Sequence, residues 1–239
     1  MFFCLTALVS ALLFTAVFGI AVETPENTQK RDKPTGIVVS FSNNFVDWKR
    51  VSVAYHSFAY IWATAGDEDR NPHLSSHYSG AANAGLVRGA FHVAHPTQSS
   101  GAAQADYFLS NGGKWTGDGI TLPGALSIGR YWRHNCHGLN TTAMVGWIRD
   151  FSDTYHSKVG RHPVISTTAD WWNACTGNNA DFGSASPLWN FHVPSPNDVL
   201  PAGWNDEPSW SSFNTPHLVQ FSGDMGGLKR LTTNRTAIM

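Results

Sequence analysis

From residue 36 onward, short apolar runs alternate with stretches of helical or small-residue character. Gly36-Ile37-Val38-Val39-Ser40-Phe41 is continuous and β-branched, the pattern of a strand buried on both faces. Phe58 to Thr64, Leu86 to Ala94, Leu122 to Ile128 and Pro163 to Thr167 read as four more strands. Pro187 to His192 and Leu218 to Phe221 add strands near the end. Between them, His77 to Ala84 is Ala-rich and stops at Gly85, and Ala102 to Leu109 stops at Asn111-Gly112-Gly113. Thr141 to His156 places Met144, Val145, Trp147, Ile148, Phe151 and Tyr155 on one face at a helical period. Strand and helix in alternation predict an α/β domain with a mostly parallel sheet. A closed β/α barrel, with its site at the C-terminal strand ends, is the expected form. A doubly wound open sheet is the alternative, but no Gly-x-Gly-x-x-Gly turn follows the first strand.

The N-terminus breaks this pattern. Met1 to Ala21 is one apolar run without a charged side chain, ending in small residues, and the polar stretch Glu23 to Thr35 follows. It reads as a cleaved signal peptide over 1–21, with a retained signal anchor as the alternative. Residues 22–31 then form a short propeptide or linker, and 32–239 the folded domain. Lys30-Arg31 is either a dibasic processing site or a solvated basic pair.

Composition narrows the partners. The chain of 239 residues is 42% hydrophobic and 13% aromatic with 10 Trp, enough for one large core. Only 14% of residues are charged and the net charge is −1, which argues against a nucleic-acid or acidic-membrane partner. Of the 3 Cys, Cys4 lies in the leader, so an exported chain keeps Cys136 and Cys175, and a disulfide between them is the simplest assignment. Asn140-Thr141-Thr142 and Asn234-Arg235-Thr236 are N-glycosylation sequons.

Several segments together resemble one known family. They are GIVVS at 36–40, VDW at 46–48, FAYIWAT at 58–64, AGLVRGAFHVAHP at 84–96, AAQADYFLSNGG at 102–113 and DGITLPGALSI at 118–128. MVGWIRDFSDTYHSKVGRHPVIS at 144–166, WWNACTG at 171–177, PLW at 187–189 and GDMGGLKRL at 223–231 continue the match in the same order. The chain resembles the family 25 glycoside hydrolases, the fungal N,O-diacetylmuramidase type in particular. The resemblance implies a single flattened TIM-like barrel. It also implies descent from secreted enzymes that hydrolyse β-1,4 bonds in peptidoglycan.

Glycoside cleavage needs an acid to protonate the leaving oxygen and a second group facing the cationic sugar carbon. The resemblance places these in an Asp-x-Glu ending the fourth strand, whose spacing of two puts both side chains on one face. It places further Asp residues in the first strand and after a late Trp-Gln strand. This sequence carries Val38 in the first strand, Ser127-Ile128-Gly129 for the Asp-x-Glu, and Val219-Gln220 for the late pair. The loop after that pair is missing, since Phe221-Ser222-Gly223-Asp224 matches the segment beyond it. Trp62 and Ala65 stand where the family usually has Lys and Glu. The losses fall at strand ends, where chemistry is expected, while scaffold residues are kept.

No obvious replacement offers itself. Asp47, Asp106, Asp118, Asp150 and Asp153 lie in turns or helices that the resemblance places away from the groove, and Asp67-Glu68-Asp69 is a charge run after the second strand that could reach its rim. His92, His95, His134, His137 and His192 lie at or after predicted strand ends; ordinary polar roles are favoured over a metal site. Tyr131, Trp132 and Trp62 are candidate stacking surfaces, and Trp189 is either that or core. The expected groove is lined by Tyr60, Trp62, His92, Trp189 and His192. Three readings follow: a non-hydrolytic binder of peptidoglycan or chitin-type glycan, a muramidase with rearranged catalytic groups, and an interaction protein without glycan. None needs a metal or cofactor. The binder is expected to be extracellular, free of the membrane after leader cleavage, and monomeric.

Overall fold

The structure is a computed structural model and describes residues 36–40, 43–53, 56–129, 136–190, 200–204 and 218–219. The expected leader and linker (1–31), Tyr131, Trp132, His134, His192 and Asn234 lie outside these residues. The strands are β1 (Gly36–Val39), β2 (Phe58–Ala65), β3 (Asp69–Arg70), β4 (Val87–Val93), β5 (Ala125–Ser127), β6 (Val164–Thr167), β7 (Leu188–Asn190) and β8 (Leu218–Val219). The helices are α1 (Trp48–Val53), α2 (Leu74–Asn83), α3 (Gly101–Ser110), α4 (Thr141–Val159) and α5 (Ala169–Thr176).

The sheet runs β7-β6-β5-β4-β2-β1-β8, with β3 paired to β2 off the main path. Strands β1, β2, β4, β5, β6 and β7 are parallel, and β8 closes on β1 antiparallel. This is a curled parallel sheet forming a half-barrel, so the TIM-like α/β expectation holds, while among the described residues β7 and β8 are not paired with each other and the sheet is not the closed barrel expected. β5 is shorter than the predicted 122–128 run. Pro123 has no N–H to donate, and pairing resumes only at Ala125.

Alternation along the strands sorts side chains to two faces. The inner face packs Phe58, Tyr60, Val87, Phe91, Leu122, Ala125, Val164 and Trp189, with Val38 and Trp62 partly buried against them. Gly89 makes room for this packing, since a Cβ there would stand 2.7 Å from the Tyr60 ring and 2.9 Å from Leu122. The outer face meets the helices in two clusters. Ile37, Val39, Ala59 and Ile61 pack with Ala81 of α2. Ala63, Ala90, Leu126 and Ile165 pack with Phe108 of α3, Met144, Trp147, Ile148, Phe151 and Tyr155 of α4, and Trp172 of α5. Each such fully buried aromatic or aliphatic side chain contributes roughly 1.5–3 kcal/mol relative to exposure.

Helix α4 matches the predicted stripe and has both end signals. Asn140 accepts from Ala143 N at 2.9 Å, and Gly160 takes the left-handed φ of 74° that ends it. The sequence reading did not identify α1, α5 or β3. α5 is bracketed by Thr168, whose hydroxyl accepts from Trp171 N, and by Gly177 at φ 66°. β3 is a two-residue return after the turn at Gly66, held where Asn71 N donates to Ala63 O at 2.8 Å and Asn71 Nδ2 to Trp62 O at 2.8 Å. Among the described residues, no helix is long and apolar enough to cross a membrane.

Candidate functional site

In a barrel of this type the ligand end is where the parallel strands finish. The inward residues there are Val38 on β1, Trp62 and Ala65 on β2, Val93 on β4, Ser127 on β5, Ser166 on β6 and Trp189 on β7, and Gly129 follows two residues past the end of β5. Ala65, Val93, Ser127, Ser166 and Trp189 are partners in direct register and form one row across the sheet. Val38, Trp62, Ser127 and Gly129 are half-buried, so they border the opening. Trp62 Nε1 donates to Thr64 O at 3.0 Å, which holds the indole beside the bulge in β2.

The rim comes from loops after the strands. The loop after β1 carries Phe45, whose ring is 84% exposed. Gly66 turns the chain after β2 at φ 56°, and a Cβ there would clash with Gln98 of the loop after β4. Asp67 is half-buried, while Glu68 and Asp69 are exposed; Tyr107 donates its hydroxyl to Glu68 O at 2.8 Å. Cys136 and Cys175 are joined by a disulfide, as expected, which ties the segment after β5 to α5. The next residue, His137, places Nε2 3.2 Å from Gly129 O.

The signature of "Glycosyl hydrolases family 25" matches residues 37–216. The chain belongs to glycosyl hydrolase family 25. It is 38% identical to the N,O-diacetylmuramidase of Arthroderma benhamiae over 229 residues, covering 93% of this chain and 96% of that protein. It is 43% identical to lysozyme M1 of Streptomyces globisporus over 195 residues, 80% of this chain, and spans only 65% of that relative's length. The solved muramidase from Acremonium alcalophilum superposes with a TM-score of 0.78 at 42% identity, covering 84% of this chain and all (100%) of that one.

Within this family 25 fold, three of the expected groove residues are elsewhere. His92 is a correction. It follows Phe91, which points inward, so its ring points outward into the helix layer and is fully buried beside Phe108 and Phe151. Gln104 Oε1 accepts from His92 Nε2 at 3.0 Å and from His95 N at 3.1 Å; Thr64 Oγ1 then donates to Nδ1 at 2.8 Å. That arrangement needs the neutral ring with its proton on Nε2. Burial is the main reason its pKa is pushed down to about 4, against the opposing effect of the hydrogen bond it donates to Gln104. The network braces the loop carrying His95, so His92 positions the rim without touching the groove.

Tyr60 is the second correction. It is fully buried in the lower half of the barrel, and its hydroxyl donates to Pro123 O at 2.7 Å, below the start of β5. Burial raises its pKa well above the usual tyrosine value. Trp189 is the third: the ring is 1% exposed and packs 5.4 Å from Tyr60 and 5.9 Å from Phe91, so it is core. Trp62 alone of the described candidates is at the opening.

Apart from the rim run Asp67-Glu68-Asp69, four of the acids singled out in the sequence are engaged in local contacts. Asp47 Oδ1 accepts from Arg50 N, Asp106 pairs with Lys158, and Asp150 accepts from Ala102 N. Asp118 accepts from Thr116, Ile120 and Thr121; these hydrogen bonds outweigh burial and hold its carboxyl below the usual range. Among the described residues no group of three or more His, Cys, Asp or Glu is placed to hold a metal. The sequence reading missed Ser166 and Phe45. The period of two along β6 carries the signal for Ser166, inward two residues after Val164; an apolar residue after Asn43-Asn44 is the signal for Phe45.

Proposed function

We propose that this family 25 protein is a secreted cell-wall glycan binder that holds its ligand in the old hydrolase groove without cleaving it. One observation carries the reading: the inward positions ending β1 and β5 are Val38 and Ser127, with Gly129 two residues past β5, and none of the three offers the carboxyl group that glycoside hydrolysis uses to give and take its proton. The relatives named N,O-diacetylmuramidase and lysozyme point to peptidoglycan as the ligand, with chitin as the related polymer. Trp62, half-exposed at the opening, supplies a flat apolar face for a sugar ring. The apolar Met1–Ala21 leader and the disulfide support export, cleavage after Lys30-Arg31 is part of the proposal, and Asn140 and Asn234 then carry glycans.

The second reading, a muramidase with rearranged groups, is favoured by one feature, the acidic run Asp67-Glu68-Asp69 on the rim. Turbidity of a bacterial wall suspension separates the two. The binder leaves turbidity unchanged and co-sediments with the walls. Clearance near the rate of an active relative, abolished by replacing Asp67, Glu68 and Asp69, establishes the second reading. Neither clearance nor sedimentation points to the interaction protein.

A further inference from the structure

The row Ala65, Val93, Ser127, Ser166 and Trp189 contains two hydroxyls side by side, Ser127 on β5 and Ser166 on β6. Both face the barrel interior, because Ala125 and Val164, two residues earlier on the same strands, belong to the inner cluster. Ser127 is half-buried and borders the opening. Ser166 is 2% exposed, and its Oγ has no hydrogen-bond partner among the described residues.

That hydroxyl has apolar neighbours beneath it. The inner residues one layer down are Trp62, Phe91, Ala125 and Val164. On the β7 side stands Trp189, whose ring is turned down onto Tyr60 and Phe91. The side of Ser166 that these apolar neighbours leave for a polar partner is the one towards Ser127. Thr167 Oγ1 and Asn190 Oδ1 are also unpartnered among the described residues, but alternation turns both to the outer, helix-facing side. A buried hydroxyl left without a partner is costly, and native structures complete such groups with water or ligand.

We infer that Ser127 and Ser166 form a neutral hydroxyl pair in the groove floor that hydrogen-bonds an uncharged hydroxyl or acetamido group of the bound sugar. The inference rests on the glycan-binding reading and sharpens it. A serine hydroxyl both donates and accepts, so the pair matches a sugar hydroxyl or an amide in either sense. It offers no charge to a carboxylate. Trp62 stacks on the ring while the pair fixes its rotation. Because neither hydroxyl titrates between pH 4 and pH 8, the floor's contribution to affinity is constant across that range.

The test is calorimetric titration of the glycosylated, disulfide-intact protein with chitotetraose and with a peptide-free peptidoglycan tetrasaccharide. Ser166→Ala is expected to weaken binding about three- to tenfold, the loss of one neutral hydrogen bond. Its melting temperature stays level or rises, because an unpartnered buried hydroxyl has been removed. Ser127→Ala weakens binding similarly, and Ser166→Thr, which keeps the hydroxyl, recovers part of the loss. Unchanged affinity in Ser166→Ala, with a lower melting temperature, overturns the inference: the hydroxyl then serves an internal water in the fold. If the parent binds neither sugar, the glycan-binding reading falls and takes this pair with it. The two failures are told apart by the parent's own titration.

Discussion

Tyr60 donates its hydroxyl to the carbonyl of Pro123, 63 residues further along the chain, at 2.7 Å inside the barrel. This bond ties β2 to the approach of β5, at the end of the barrel opposite the opening. Tyr60→Phe leaves that carbonyl unpaired in an apolar setting and is expected to cost about 1–3 kcal/mol. Urea denaturation measures it. Glycan affinity should not change, and a fall in affinity at constant stability would return Tyr60 to the groove.

Trp62 and Trp189 should respond in opposite ways. Trp189→Ala opens a cavity in the inner core and is expected to cost about 3–5 kcal/mol. Trp62→Ala should cost clearly less, because one side of its indole is open, while weakening binding to chitotetraose. Melting curves and titrations of both variants decide the matter; equal stability losses would place Trp62 in the core.

His92 links stability to pH. Its pKa is about 4 in the fold against an ordinary 6.5, so the unfolded chain takes up a proton that the native ring refuses. The stability it confers is complete above pH 6.5, is lost as pH falls from 6.5 towards 4, and is level below that. The total is about 3 kcal/mol. His77 and His162, whose pKa values are also lowered chiefly by burial, act in the same direction. Urea midpoints at pH 7 and pH 4.5 for the parent and His92→Gln are expected to show a smaller acid loss in the variant. Equal losses would remove His92 from the account.

The disulfide closes a loop between residues 39 apart. The chain-entropy treatment assigns it about 4 kcal/mol. The Cys136→Ala, Cys175→Ala double variant should lose stability of that order in urea, and His137 should leave Gly129 O, which a chemical-shift change at Gly129 reports.

Asn140 caps α4, and its proposed glycan can be tested separately from that cap. Its Oδ1 accepts from Ala143 N at 2.9 Å while Nδ2 is left to carry a glycan, and Thr142 is exposed. Secreted from a eukaryotic host, Thr142→Ala should lose the Asn140 glycan mass with the cap intact. Asn140→Ala should lose the same mass and about 1 kcal/mol of helix stability besides. An identical parent and Thr142→Ala mass would show that the sequon is not used.

Much of this architecture was legible in the chain itself. β-branched and aromatic runs marked every long strand, because strands buried on both faces need continuous apolar character. The 3.6 period located α4, and Gly85 and Gly160 stopped their helices by the same left-handed geometry. The pairing of Cys136 with Cys175 followed from the remaining cysteine, Cys4, falling in the expected leader. Short elements escaped: α1 and α5 are too brief to show a period, and β3 exists only because the turn at Gly66 folds it back on β2.

Which face each side chain takes was decided by the tertiary structure. His92 and Phe91 are neighbours in sequence, yet one enters the helix layer and the other the barrel, because a strand turns successive side chains to opposite sides. Tyr60 and Trp62 share a face, but the depth of each along β2 makes the first core and the second rim. The same holds for Ser166. The period of two along Val164-Ile165-Ser166-Thr167 puts the two hydroxyls on opposite faces, and the curl of the sheet with the register to Ser127 and Trp189 makes the Ser166 face the opening and the Thr167 face the helix layer. The sequence by itself therefore determined the longer elements, the family and the absence of carboxylates at Val38, Ser127 and Gly129, since those depend on residue identity and local period. The composition of the groove depended on long-range register and depth, which arise only when strands far apart in the chain are brought side by side.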